Sequence, residues 1–180
     1  MATGRLRFVI MSTSTDELLQ RNARFAAGGA YAGLPFPTNE TLQVLGCVDS
    51  RVDPSDVLGL ALGDAVVMRN IGGRMTPATL RSWDLLHRLG QGQPSGGALV
   101  ILHHTECGIR RLADYPDQLA DFFEIPVADL DTKAVRDPYA AVRIDVGIAR
   151  QTFPPSLLVS GMVYDVKTGL VELVVPPAPE

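Results

Sequence analysis

The fold is decided by the mostly apolar stretch Leu42-Gln43-Val44-Leu45-Gly46-Cys47-Val48, which is typical of a β-strand buried on both faces. Three further stretches have the same character: 65–69, 98–103 and 157–163. Helix-start signals lie between them, because Asp53-Pro54 and Thr76-Pro77 each place an N-cap residue before a proline. Strands that alternate with helices predict an α/β fold with a mostly parallel four-stranded sheet and helices on both faces.

The C-terminal part of the chain adds one strand of opposite direction. The stretch 165–169 has the composition of a turn and leads into a last apolar run, 170–175. We therefore expect a C-terminal antiparallel hairpin strand at the edge of the sheet. Helices are also expected over 117–123 and 138–150, whereas the stretch 126–137 between them is ambiguous.

The N-terminal segment 14–28 predicts a separate helix. Ser14-Thr15-Asp16-Glu17 has the form of a capping box, apolar residues follow at helical intervals, and Gly28-Gly29 ends the run. A helix over about 15 to 27 is expected. We predict that residues 1–180 form a single domain, with loose tails at 1–13 and 176–180.

Composition and charge exclude several classes of function. The 180 residues are 46% apolar and 20% charged, with a net charge of −4, so a folded domain is expected and nucleic acid is not an expected partner. No apolar run approaches the ~18 residues of a membrane-spanning helix, so no membrane partner is expected. The apolar stretch after Arg5 and Arg7 stops at Ser12, too early for a signal peptide. We therefore expect a cytoplasmic protein.

The two cysteines lie where an α/β sheet collects its reactive groups. Cys47 ends one predicted strand, Cys107 follows another, and His104 stands three residues before Cys107. Two sulfur atoms and one imidazole nitrogen suit tetrahedral zinc, and three protein ligands with one open position are typical of a catalytic zinc site. A buried cysteine is also common as a plain core residue, and a disulfide is a further alternative.

Two polar residues follow Cys47 closely. Asp49 and Arg51 are two positions apart, so that a carboxylate and a guanidinium can pair beside the metal. A simple salt bridge in the loop is the alternative interpretation. His103 is either a proton shuttle or a packed, hydrogen-bonded histidine.

Three motifs together resemble the β-class carbonic anhydrases. They are Cys47-x-Asp49-Ser50-Arg51, Arg69-Asn70-Ile71-Gly72-Gly73 and His104-x-x-Cys107-Gly108. The resemblance extends from about Thr15 to about Pro176 and is closest to the small bacterial members with two histidines before the second cysteine. His103 stands where many members have glycine.

The resemblance implies a catalytic zinc ion held by Cys47, His104 and Cys107. It assigns Asp49 and Arg51 as the catalytic dyad, with either water or Asp49 as the fourth ligand. The implied reaction is the reversible hydration of CO2 to bicarbonate by attack of zinc-bound hydroxide. Backbone N–H groups in the Gly108 turn can orient the substrate. Asn70, with Gly72-Gly73, is expected to shape a loop near the cleft. It also implies a homodimer, or a dimer-based homotetramer, in which the N-terminal helix contacts the partner.

One departure from the family concerns the substrate pocket. Many members carry a glutamine before the first zinc-binding strand, where this chain has Leu34-Pro35-Phe36-Pro37-Thr38-Asn39. An apolar lining suits a neutral linear molecule, so a carbonyl sulfide or carbon disulfide hydrolase is the first alternative. A non-catalytic zinc protein is the second. A thiol redox protein is disfavoured because the chain has no C-x-x-C motif.

Overall fold

The computed structural model describes residues 14–34, 42–89 and 96–177. The chain divides into two compact units, Met1–Leu34 and Pro35–Glu180. The predicted tail 1–13, and residues 178–180 of the predicted tail 176–180, lie outside the described residues. The single-domain organisation of the whole chain stays a prediction.

The described part of the first unit contains one helix, α1 (Thr15–Ala27). Ser14 caps it, because the Ser14 Oγ accepts a hydrogen bond of 3.2 Å from the backbone N–H of Glu17. Gly28 ends the helix. The helix predicted over 15 to 27 is therefore confirmed.

A five-stranded sheet forms the centre of the second unit. Its strands are β1 (Leu42–Cys47), β2 (Val66–Asn70), β3 (Gly97–His104), β4 (Leu157–Tyr164) and β5 (Val171–Val175). The order across the sheet is β2-β1-β3-β4-β5. The first four strands are parallel and β5 pairs antiparallel with β4, which confirms the predicted topology.

The helices of this unit are α2 (Pro54–Leu58), α3 (Pro77–Arg88), α4 (Pro116–Phe123) and α5 (Pro138–Thr152). Each begins with a proline, which loses no hydrogen bond at the first helical position. Short 3₁₀ helices cover Ile71–Gly73, Gly108–Asp114 and Val127–Lys133. The last of these resolves the ambiguous stretch 126–137. No helix in the described ranges is long and apolar enough to cross a membrane.

Both faces of the sheet are covered, as the alternating pattern predicts. On one face, Leu45 and Ile101 pack with Trp83 of α3 and with Val142 and Val146 of α5. On the other face, a smaller cluster of Val44, Val100 and Leu102 packs against Val57 and Leu58 of α2. Removal of this apolar area from water is the main favourable contribution to folding.

The sheet register brings the ends of β1 and β3 together. Gly46 is paired with Leu102, and the parallel strands β1 and β3 therefore end beside each other. Cys47 is the last residue of β1, and His104 is the last residue of β3. The side chains that follow these strands consequently meet at one edge of the sheet, as expected for an α/β fold.

Candidate metal centre

Three side chains with metal-binding atoms converge at this edge. Cys47, His104 and Cys107 place their ligand atoms within 4.8 Å of one another. The two sulfur atoms are 3.8 Å apart and carry no disulfide. The sequence predicted these three residues as ligands, and the structure brings all three together.

The orientation of His104 leaves one nitrogen free for a ligand. Its Nδ1 lies 2.9 Å from the carbonyl oxygen of Thr105, so Nδ1 carries the proton and donates it there. Its Nε2 is buried and has no hydrogen-bond partner among the described residues. A buried, unpartnered nitrogen is costly unless a ligand occupies it. This ring orientation is the one that metal-binding histidines usually adopt.

The sulfur of Cys47 accepts two backbone hydrogen bonds. The N–H of Asp49 lies 3.4 Å from Sγ and the N–H of Gly72 lies 3.3 Å from it. The pKa of Cys47 is lowered, first by its hydrogen bond with Cys107 and also by His104 and these two amides, although burial opposes the shift. The pKa of Cys107 is raised, because it shares its proton with Cys47 and is itself partly buried.

The donor set fits zinc. Two sulfur atoms and one imidazole nitrogen are ligands that zinc prefers, and their mutual distances allow one ion to reach all three. The unpartnered His104 Nε2 is the observation that tests this fit, because it requires an electron-pair acceptor that the described protein does not supply. Three protein ligands leave one coordination position for a further group.

Asp49 and Arg51 form the pair predicted from their spacing. Arg51 donates from Nε to Asp49 Oδ1 at 3.0 Å and from Nη2 to Oδ2 at 2.7 Å, and its backbone N–H also bonds Oδ1. These bonds hold the pKa of the Asp49 carboxyl far below its usual range. Asp49 Oδ2 is 3.9 Å from His104 Nε2, so the carboxylate stands beside the three ligand atoms.

The two predicted substrate residues have different surroundings. Gly108 is exposed and lines an open depression together with Asp49 and Arg51. Asn70 does not line this depression. Its amide nitrogen donates to the carbonyl of Arg74 and to Thr79 Oγ1, and its Oδ1 accepts from the N–H of Arg74. Asn70, the last residue of β2, therefore uses its side-chain amide to hold the turn that follows the strand.

The residues between His104 and Cys107 are held by the turn between β4 and β5. Thr105 donates through its Oγ1 to Asp165 at 3.2 Å, and its backbone N–H donates to the carbonyl of Tyr164 at 2.9 Å. The next residue, Glu106, adopts the left-handed conformation with φ of 55°. Non-glycine residues adopt it rarely, so the surrounding contacts must hold this backbone in place.

A buried ion pair beside the centre was missed from the sequence. His103 is buried, and its Nε2 lies 3.1 Å from the carbonyl oxygen of Gly73 and 3.2 Å from Asp145 Oδ2, so it is packed and hydrogen-bonded. Asp145 also accepts from Arg74. The sequence signal that could have revealed this pair is the charged residue Asp145 on the apolar face of α5, between Val142 and Val146.

The segment that departs from the family pattern cannot be placed at the site. Residues 35–41 lie outside the described residues, and with them most of the stretch Leu34 to Asn39.

Comparison with known proteins identifies similar sequences and structures. The family model described as "Carbonic anhydrase" matches residues 42–127. A Mycobacterium tuberculosis protein named Beta-carbonic anhydrase 1 is 27% identical over 186 residues, which cover 91% of this chain and 99% of the relative. A carbon disulfide hydrolase of Acidithiobacillus thiooxidans is 27% identical over 159 residues, 74% of this chain and 77% of the relative.

A solved structure is similar to this chain over nearly the whole length of both. The crystal structure of the carbonic anhydrase from Streptococcus mutans is 32% identical, with a TM-score of 0.70, and the match covers 92% of this chain and 99% of that one. Its fold agrees with the fold described above. The chain therefore belongs to the β-carbonic anhydrase family.

Proposed function

We propose that this protein catalyses the reversible hydration of CO2 to bicarbonate with a zinc ion held by Cys47, His104 and Cys107. The observation that carries the proposal is the position of Asp49. Its carboxylate is bonded on both oxygens by Arg51 and stands beside the three ligand atoms. A carboxylate engaged in this way does not complete the metal coordination, so one position remains for the reacting group.

Zinc at this position would supply a Lewis acid that makes a hydroxide nucleophile available near neutral pH. The chain's own residues orient the reaction. Asp49 is an ionised acceptor, held by Arg51, that fixes the direction of a donor hydrogen in the open position. Gly108, at the edge of the same depression, provides backbone beside the substrate without a side chain that would block it.

The decisive experiment is stopped-flow CO2 hydration on protein with confirmed zinc content, from neutral to alkaline pH. Turnover already present near neutral pH is expected, because Asp49 is engaged with Arg51. Turnover only at higher pH would instead indicate Asp49 as a displaceable fourth ligand. Zinc-loaded protein that is silent at every pH would overturn the proposed reaction.

Carbon disulfide or carbonyl sulfide hydrolysis is the second candidate function. It is favoured by the Acidithiobacillus thiooxidans relative, whose identity of 27% equals that of the mycobacterial relative. The same preparation should be offered CO2, carbonyl sulfide and carbon disulfide, with bicarbonate or sulfide measured. Sulfide formation that exceeds CO2 turnover would support this candidate. Bound zinc without turnover of any of the three would support a non-catalytic zinc protein.

We also propose that the protein acts as a cytoplasmic homodimer or a dimer-based tetramer. The apolar residues Leu18, Leu19 and Phe25 of α1 are exposed, which is unusual for a surface that meets only water. Sedimentation of the full chain and of a Leu18→Ser/Phe25→Ser variant tests the role of α1. A variant with an unchanged mass would overturn it.

A further inference from the structure

A buried ion pair lies behind the metal centre. Arg74 and Asp145 are 1% and 0% exposed, and Arg74 Nε donates to Asp145 Oδ2 at 2.6 Å. Arg74 Nη2 donates to the carbonyl of Lys133 at 2.7 Å, and the guanidinium lies over the ring of Phe123. Buried ion pairs contribute little net stability, since desolvation offsets their attraction. We therefore expect a role of the Arg74–Asp145 pair other than stabilisation of the fold.

His103 connects this pair to the backbone next to the ligands. Its Nε2 faces two acceptors, the Asp145 carboxylate and the Gly73 carbonyl, at 3.2 Å and 3.1 Å. Since neither acceptor can donate, Nε2 must carry the hydrogen and share it between them. Burial alone would raise the pKa of Asp145, but the bonds from His103 and the charge of Arg74 outweigh it and lower the pKa.

The Gly73 carbonyl belongs to a tightly confined loop. Gly72 and Gly73 have φ values of 78° and 65°, a region that favours glycine. A Cβ on Gly73 would lie 3.0 Å from the carbonyl carbon of Gly46 and 3.1 Å from the oxygen of Leu102. The loop is thus pressed against the ends of β1 and β3. Its Gly72 N–H points at Cys47 Sγ from 3.3 Å.

A backbone N–H that bonds a metal-binding sulfur changes the metal's chemistry. It withdraws charge from the thiolate, which then donates less to the metal and leaves it a stronger Lewis acid. Each such bond acts only if the amide is held at the correct distance and angle. In this chain that amide belongs to Gly72, and the carbonyl of the next residue, Gly73, accepts the hydrogen bond from His103 Nε2.

We propose that Asp145 is a positioning residue of the metal centre, which acts through His103 and the Gly73 carbonyl to hold the Gly72 N–H against Cys47 Sγ. Arg74 fixes the Asp145 carboxylate in the orientation that His103 requires. The inference rests on the proposed metal site. It adds to that site a set of residues, separate from the Asp49–Arg51 pair, that tunes one sulfur ligand.

Variants separate this role from simple stability. Arg74→Met/Asp145→Leu removes both charges together, so no buried charge is left unpaired and the fold is expected to persist. His103→Phe removes the donor and keeps an aromatic ring, whereas His103→Gln keeps an N–H donor. The last two variants test the same connection without disturbing the ion pair.

The matched control is an ion pair of the same type at the surface. Arg81 of α3 bonds Glu124, and both side chains are exposed. Arg81→Met/Glu124→Gln removes this pair without a contact to the metal centre. Its spectrum and activity are expected to match those of the unchanged protein.

The readout is the thiolate-to-metal charge-transfer absorption of the cobalt-substituted protein. Loss of an N–H···S bond makes the thiolate a better donor, so the band is expected at longer wavelength in Arg74→Met/Asp145→Leu and in His103→Phe. His103→Gln is expected to restore the band toward its original position. Cobalt affinity, measured by chelator competition, is expected to fall ~10-fold in the first two variants, because the loss of a fixed position for the sulfur outweighs its stronger donation.

The outcomes distinguish this inference from the proposed function. Folded variants whose band stays at the original wavelength would overturn the positioning role alone. A cobalt-loaded wild-type protein without any thiolate band would overturn the metal site and this inference together. Shifted bands in a protein that turns over neither CO2 nor carbon disulfide would support the inference while the proposed function fails.

Discussion

Arg51 donates hydrogen bonds to both carboxylate oxygens of Asp49, which lies only two residues before it. The Nε–Oδ1 distance is 3.0 Å and the Nη2–Oδ2 distance is 2.7 Å. The backbone N–H of Arg51 adds a third bond to the same carboxylate. One short loop therefore contains both the anion and the group that holds it. Arg51 Nη2 also donates to the carbonyl of Glu106 at 3.4 Å, so the pair is bonded as well to the loop that carries Cys107.

The first prediction concerns the pH dependence of this pair. The pKa of Asp49 is lower in the folded than in the unfolded chain, so the pair stabilises the fold above the usual carboxyl pKa of about 3.9. This contribution is lost as pH falls through the folded-state pKa. The unfolding midpoint of Asp49→Asn should lie below that of the wild type at neutral pH, and the gap should close at acid pH.

The control for this measurement is Asp121→Asn, at an exposed position on α4. Its midpoint should follow that of the wild type through the same titration. A constant gap for Asp49→Asn from neutral to acid pH would contradict the assigned pKa direction.

The second prediction concerns the sulfur ligands. Cys47→Ser and Cys107→Ser should each lose zinc and activity together, because a serine hydroxyl is a much poorer zinc ligand than a thiolate. Zinc per chain, measured after exhaustive dialysis, checks the result. Ser82→Ala on α3 is the control, since this hydroxyl bonds only the carbonyl of Ala78 in the described structure. Full zinc occupancy in both cysteine variants would remove the ligand assignment.

The third prediction concerns the turn that holds the ligand loop. Asp165→Ala removes the acceptor for Thr105 Oγ1 and for the N–H of Lys167. The backbone between His104 and Cys107 then loses a hydrogen bond that holds it in position. Zinc affinity should fall ~10-fold, as is common when a residue behind a metal ligand is removed. Competition with a chromophoric chelator measures the change.

A neighbouring ion pair provides the control for Asp165. Lys167 and Glu106 are 3.1 Å apart, with both side chains exposed. Exposed pairs contribute about 0–1 kcal/mol, so Lys167→Ala should change zinc affinity by about fivefold or less. Equal losses of zinc affinity in Asp165→Ala and Lys167→Ala would show that the charge of the turn matters rather than the Thr105–Asp165 hydrogen bond.

The fourth prediction concerns metal removal. Zinc that binds only the folded chain should raise the free energy of unfolding by about 2.7 kcal/mol at a free concentration 100 times its Kd. Urea denaturation in zinc buffers of two concentrations measures this. His104→Ala should show no dependence on zinc, because it lacks the buried nitrogen that faces the two sulfur atoms. A wild type that is equally stable with and without zinc would exclude binding at this site.

Local patterns in the sequence were sufficient for most elements of the fold, and the family motifs indicated the candidate ligand set. The helix Thr15–Ala27 begins at the capping box, and α2 ends at Leu58 before Gly59, which adopts the left-handed conformation. Caps and periodicity act between near neighbours, so a single sequence reveals them. The proximity of Cys47, His104 and Cys107 could be predicted for a related reason. They end or follow two parallel strands, and parallel strands end at a common edge of the sheet.

Only the tertiary structure decided which distant side chains meet. Arg74 and Asp145 are 71 residues apart, and their contact depends on how α5 packs on the sheet. The amide of Asn70, at the end of β2, bonds Arg74 and Thr79, and so joins the strand to the start of α3. The sequence by itself therefore determined the strands and the helix ends, and its motifs indicated the candidate metal ligands. Packing and sheet register decided the orientation of His104 and the network behind Cys47, because those contacts join elements that no local pattern relates.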